Sequence, residues 1–355
     1  MDTLKLRLSS VSLSTVSVCA AILIPIVLAP TIRRQWPQLL PSLQLLRRKK
    51  GETTEVVELR VYPVKSCRGI TVRKTTLRTH GLDLDRRWMF VDATTHEFLT
   101  IRQIPQMTLI NTALSEDGNS LILSIKDEDV KVSIPAHPTA DWLRDNTTLA
   151  QLKIWDIQTD GYLYGPEVNE PFSRFLGRGV CLAYKGPTPR VLRGNGAPQR
   201  LGRTQDTFFP DVHPVLIASE ASLADLNSRL VAKGERPITV ERFRPNIIVK
   251  GNVPWSEDTW KLVRLSGKEE DGPIDVDIVA RCARCQVPNV EPSTAEKHKT
   301  EPWNTLMSFR RVDEGIKYKP CFGMLGAPRA EGEVSVGMKF EVLAETKEHR
   351  YITGF

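Results

Sequence analysis

From residue 55 onward the chain repeats one pattern: a short run of β-branched and aromatic residues, then a turn. The runs VVELRVYPV, ITVRKTTL, RWMFVDA, MTLINTAL, SLILSI and VKVSIP are broken by turn formers such as Glu116-Asp117-Gly118-Asn119. Runs this short and this regularly spaced build curled or packed sheets rather than long helices. The pattern resumes later with NIIVKG, WKLVRLSG, DVDIVA and EVSVGMKFEVL. Between the two zones, residues 186–205 (GPTPRVLRGNGAPQRLGRTQ) are rich in Gly, Pro and Arg and read as a long exposed connection.

Few helices interrupt the strands. EPFSRFLG carries a short helical pattern, and PWNTLMSFRR another. The clearest helix follows Ser219, which can cap it, with Leu223, Leu226 and Leu230 on one face. The 355 residues therefore predict an α+β class that is mostly β, barrel-like in both parts. The domains are expected at 55–185 and 206–348, joined by the 186–205 linker.

Ahead of them lie an anchor segment, 1–31, and a basic tether, 32–54. Val11 to Pro30 carries no charge and includes CAAILIPIVLA. Roughly 20 apolar residues cross a bilayer as a helix, and this run just reaches that length. A cleaved signal is the rival reading, but Pro30 would follow a cut after Ala29, so an uncleaved anchor is expected. Two cations precede the run and six follow it, which places the main body in the cytosol. A short anchor with basic flanks suits the mitochondrial outer membrane, with the endoplasmic reticulum membrane as the alternative. This segment also explains the net charge of +7: eight of the 49 Lys and Arg but one of the 42 Asp and Glu fall in residues 1–50. The remainder is balanced, with no footprint for nucleic acid.

The six cysteines form no dense disulfide pattern, which fits a reducing compartment. Two sit in RCARCQVPNVEP as Cys282 and Cys285. Such a pair can be half a zinc site, a thiol–disulfide couple, two buried thiols, or one thiolate ligand beside a bystander. Zinc needs four ligands; His298 is suitably spaced, and Cys321 completes a set only if the fold brings it near. A redox pair usually opens a helix, and Pro288 and Pro292 follow here. Elsewhere, Tyr62-Pro63-Val64-Lys65-Ser66-Cys67-Arg68-Gly69 makes a loop rich in donors for a phosphate. Arginines recur in DRRW (85–88), TIRQ (100–103), FRPN (243–246) and FRR (309–311). Singly, each is an ordinary surface cation; together they suggest a pocket for a polyanion.

YPVKSCRG, DRRW, LIASEASLADLNSRL, RFRPNIIV, ARCARCQVPNVEP and FGMLG together resemble the MOSC family, named for the carboxyl-terminal domain of molybdenum cofactor sulfurase. Within it, the chain is similar to the anchored amidoxime-reducing molybdoenzymes, in consistent order over about residues 55–345. The resemblance implies a MOSC N-terminal β-barrel domain followed by a β-barrel MOSC domain. It implies a molybdenum cofactor (Mo-molybdopterin) whose metal takes one protein ligand, the catalytic Cys285. The cofactor contacts it implies are Lys65, Ser66, Arg86, Arg244, Ala283, Arg284 and Cys285, with Asn246 and Arg310 nearby. Lys65, Arg86 and Arg244 would hold the terminal phosphate. Asp211-Val212-His213 departs from the family's Asp-Thr-Ser type, and Ala283 stands where Ser is common. The implied activity is two-electron N–O reduction of small N-hydroxylated substrates: amidoximes, hydroxylamines and N-oxides. Cytochrome b5 and NADH-cytochrome b5 reductase are the implied electron donors. The alternative is a non-catalytic cofactor carrier or sulfuration module.

Overall fold

The structure is a computed structural model that describes residues 51–267 and 272–353. The expected anchor segment, 1–31, and the expected tether up to residue 50 lie outside the described residues. Among the described residues no helix is long and apolar enough to cross a membrane.

Seven strands close into a barrel. Around it run Ile247–Val249, Val215–Ser219, Cys321–Pro328, Ile274–Ala283, Trp260–Ser266, Lys339–Glu345 and Thr53–Val61, which pairs back onto Ile247–Val249. An eighth strand, Ile70–Val72, extends from Thr53–Val61. Alternation explains the register. Ile274, Val276 and Ile278 point inward along one strand while Asp275, Asp277 and Val279 are partly exposed. They meet Trp260, Val263, Met324 and Phe340 in a core whose large side chains each contribute roughly 1.5–3 kcal/mol by burial. The neighbours are antiparallel except Val215–Ser219 and Ile247–Val249, whose parallel pairing needs a crossover. Helix Glu220–Val231 is part of it: Ser219 Oγ accepts from Ser222 N–H, and Leu226 and Leu230 are buried.

The first strand leaves the barrel at Tyr62-Pro63 and re-enters a different sheet as Val64–Lys65. That sheet runs Thr147–Ile154, Ile157–Tyr164, Val180–Lys185, Trp88–Asp92, Val64–Lys65. Helix Pro166–Leu176 buries Phe172 against Phe90, ring centroids 5.2 Å apart. A three-stranded meander, Ile110–Leu114, Ser120–Ile125 and Lys131–Pro135, completes the region. One apolar cluster includes Leu59 and Val215 of the barrel together with Trp88, Phe90 and Leu182, so the halves share a core.

The stretch expected as an exposed linker, 186–205, is exposed or half-buried along most of its length but is tied down at a few positions. Arg190–Val191 pairs with Asp206–Thr207, and Arg190 and Leu192 are buried. Arg190 turns inward because the main chain around Pro210 offers it carbonyls: it donates to Phe208 O (3.0 Å), Pro210 O (2.6 Å) and Asp211 O (2.8 Å). Arg203 likewise pairs with Asp277 at 2.7 Å. The stretch fixes the approach of Asp211 to the site.

Candidate functional site

A cavity of about 500 Å³ opens where the first strand changes sheets. That lies within the usual range for small-molecule and cofactor pockets. Among the described residues, six cations line it (Lys65, Arg86, Arg102, Arg244, Arg284 and Lys319) against one carboxylate, Asp211.

The crossing loop supplies Lys65 and Ser66. Lys65 is buried; its ammonium donates to Phe209 O at 2.9 Å and pairs with Asp211. Burial pushes the Lys65 pKa down to about 8, against the pull of Asp211. Asp211 is held well below the usual carboxylate range: burial works against its charge, but Lys65 and Arg102 outweigh it.

Arg86 and Arg244 stack on Tyr62, 4.4 and 4.3 Å from its ring centroid. Asp85 holds Arg86 in a fork, 2.8 and 2.6 Å, and accepts Tyr62 N–H at 2.8 Å. Arg86 also donates to Arg244 O at 2.9 Å, and Arg244 to Cys67 O at 2.8 Å. One guanidinium nitrogen of Arg244, Nη2, is buried without a partner. Burial and the neighbouring Arg86 charge bring the Arg244 pKa down to about 10. Two stacked cations with an unused donor form a site that an anion would relieve. Ser66, Arg86 and Arg244 all take left-handed backbone, φ 71°, 48° and 58°. Side chains rarely adopt that conformation outside sites whose geometry is over-determined.

The opposite wall is the end of Ile274–Ala283. Its register shifts twice, between Ile278 and Ala280 and between Arg281 and Ala283, and such bulges re-aim side chains. Ala283, Arg284 and Cys285 follow at the rim. Arg284 donates to Cys282 Sγ at 3.0 Å and to Phe243 O at 2.9 Å, leaving its Nε buried and unpartnered. Cys282 is thus tied to Arg284, and burial raises its thiol pKa. Cys285 is a free, partly exposed thiol within hydrogen-bonding reach of Arg102. Arg102 stacks on Trp155 at 4.5 Å and pairs with Asp211 at 3.4 Å. Among the described residues no group of three or more His, Cys, Asp or Glu is placed to hold a metal ion. His298 Nδ1 accepts from Thr300 and Glu301 N–H, and burial pushes the Cys321 thiol up to about 12.

Of the residues expected at the site, Lys65, Ser66, Arg86, Arg244, Asn246, Ala283, Arg284 and Cys285 line this cavity. Arg310 does not, and that expectation is corrected. It is committed to Asp258 at 2.7 Å, to Cys321 O at 3.0 Å and to the Trp255 ring at 4.1 Å. Asn246 spends its amide on main chain, accepting from Leu216 N–H and donating to Arg60 O. Among the lining residues that sequence reasoning left out of the site, Arg102 had a signal in its TIRQ segment; Trp155, Lys319, Tyr351 and Thr353 had none. His213 is buried with both ring nitrogens unpartnered, and burial and Arg190 bring its pKa down to about 3, so it is a neutral imidazole. The orphaned nitrogens of Arg244, Arg284 and His213, with the cationic excess, fit a large anionic group rich in acceptors.

Comparison with known proteins places the chain. The profile described as "MOSC N-terminal beta barrel domain" matches residues 53–179, and that described as "MOSC domain" matches 204–341. Mitochondrial amidoxime reducing component 2 of Macaca fascicularis is 30% identical over 318 residues, 86% of either chain. Mitochondrial amidoxime-reducing component 1 of Mus musculus is 31% identical, covering 82% of this chain and 83% of its own. Molybdenum cofactor sulfurase of Solanum lycopersicum is 31% identical over 76% of this chain but 33% of its own length. Two matched domains in order, and relatives aligned over most of both chains, establish that this protein belongs to the MOSC family.

Proposed function

We propose that the chain is a molybdenum-cofactor-dependent reductase of N-hydroxylated compounds, amidoximes, hydroxylamines and N-oxides among them. The observation that carries this reading is one cavity with a free thiol, Cys285, on one wall and six cations around it. Lys65, Arg86 and Arg244 would hold the phosphate by charge-assisted donors. Ser66, Arg284 and the backbone at Ala283 would hold the body of the cofactor. Cys285 would be its single protein ligand, as a thiolate suits a metal already bound by sulfur. When bound, the cofactor supplies the two-electron chemistry; the chain binds, orients and tunes it. Arg102 contributes a fixed positive charge beside the Cys285 sulfur. Electrons would come from cytochrome b5 and NADH-cytochrome b5 reductase. Residues 11–30 would anchor the protein in the mitochondrial outer membrane with the body facing the cytosol, the endoplasmic reticulum membrane being the alternative.

The test is metal analysis of protein from a molybdenum-replete host, coupled to benzamidoxime turnover with a reconstituted electron chain. Near-stoichiometric molybdenum with turnover is expected; stoichiometric zinc without molybdenum overturns the reading. The match to a cofactor sulfurase favours a second reading, a carrier or sulfuration module. Molybdenum-loaded protein that leaves benzamidoxime intact would select it.

A further inference from the structure

The domain match ends at residue 341, yet Tyr351 and Thr353 line the cavity. The segment that carries them is pinned along its length. Arg281 donates to His349 O at 2.9 Å, and Asn195 donates to Arg350 O at 2.9 Å. Tyr351 N–H donates to Asp313 Oδ1 at 2.8 Å, and Ile352 N–H to Asn195 Oδ1 at 2.8 Å. Asp313 is a shared post: its carboxylate also accepts Gly315 N–H at 2.9 Å and pairs with Arg281 at 3.3 Å. Gly315 admits the segment. A Cβ there would stand 2.7 Å from Tyr351 N and 2.8 Å from Tyr351 C, and closer still to its carbonyl oxygen. Any side chain at 315 must push the segment away.

Held this way, Tyr351 is 7% exposed in an apolar cluster with Leu216, Ala280 and Leu325, against which Cys282, Ala283 and Ile316 pack. The cavity is therefore two-sided. One side is cationic. The other is apolar, built from Leu216, Leu325, Ile316 and the Tyr351 ring. That apolar lining offers a place to pack for the non-reacting part of a substrate.

We propose that the segment His349–Thr353 is a wall of the site and that Tyr351 is a specificity-determining residue, limiting the size of the apolar group that reaches Cys285. The substrate role rests on the function proposed above; the gating of Cys285 does not. The test therefore reads access directly. Full-length chain purified without molybdate is labelled with iodoacetamide or with a pyrene maleimide, and Cys285 is followed by mass spectrometry on the tryptic peptide 285–297.

In Tyr351→Ala, and independently in Gly315→Ala, pyrene labelling of Cys285 should accelerate about tenfold, the scale on which apolar pockets discriminate by size. Iodoacetamide labelling should stay within about twofold. Tyr351→Phe should behave as wild type, since the ring rather than the hydroxyl makes the wall. An unchanged pyrene rate in both Ala variants overturns the proposal. So does equal acceleration of both reagents accompanied by labelling of buried Cys321, which would mean general loosening. If access shifts as expected but the molybdenum-loaded protein reduces no amidoxime, the wall stands and the proposed reaction falls.

Discussion

At the level of single residues the two cysteines of RCARCQVPNVEP separate cleanly. Both line the cavity, but Cys282 Sγ already accepts from Arg284, whereas Cys285 is a free, partly exposed thiol on the Arg102 side. Cys285→Ala should therefore lose molybdenum and turnover while keeping its thermal midpoint. Cys282→Ser should retain both and lose stability by about 1 kcal/mol. Equal loss of activity in the two variants would revive a paired-thiol role. Lys65 carries the pH dependence. Its pKa of about 8 lies below the ordinary 10.5, so folding favours the neutral amine. As pH rises from about 8 toward 10.5 this group adds stability to the free chain. Over the same range the cavity loses a cation, and anion binding weakens. In a titration with inorganic phosphate, Kd should rise about fivefold between about pH 8 and about pH 9, below the range where Arg244 loses its charge, and Lys65→Arg should flatten that rise. A flat wild-type profile removes Lys65 from the anion site. Most of these residues were legible because donors for an anion cluster in short motifs. Arg310 looked the same in sequence; only folding shows that Asp258 and a carbonyl already occupy it. Tyr351 and Trp155 carried no local signal, because the chain segments that bring them to the cavity are far apart in sequence.

Elements raise a different question: what holds the walls in place? Arg190 binds three carbonyls of the segment ending in Asp211. Arg190→Ala should cost about 3 kcal/mol in a denaturant titration, because buried acceptors lose a charged donor. It should also weaken phosphate binding through misplacement of Asp211 and Lys65. Glycine and proline content made this stretch look like a free linker; composition cannot reveal arginines that turn inward. In the turn before Trp260–Ser266, Glu257 is buried, and burial raises its pKa to about 7 although Ser222 Oγ–H donates to it at 2.8 Å. Its contribution is favourable while protonated and is lost as pH rises from 4.5 through about 7. Glu257→Gln should thus be more stable than wild type by about 2 kcal/mol at pH 8, with the gap closing toward pH 4.5. Differential scanning calorimetry at both pH values decides it; a pH-independent difference would mean the carboxyl does not titrate there.

For the whole molecule, β-rich character and the capped helix after Ser219 followed from periodicity alone. The barrel-like expectation is met by the seven-stranded ring, but which strands close it was not legible, since pairing partners hundreds of residues apart leave no local trace. On the proposed anchoring by residues 11–30, a chain lacking residues 1–50 should leave the membrane fraction and keep its molybdenum content, as measured by cell fractionation and metal analysis. Persistence in the membrane would relocate the anchor. The strand Thr53–Val61 has a further consequence. Thr53 pairs with Glu341, and Val56 with Val249. During synthesis the first strand can pair early only at its far end, with Ile70–Val72; the rest must wait for Ile247–Val249 and, at Thr53–Glu55, for Lys339–Glu345, nearly the last to leave the ribosome. Its apolar face is a hazard for that whole interval and a natural target for a chaperone. For the same reason residues 204–341 expressed by themselves would form an open ring, with two raw edges where the missing strand belongs.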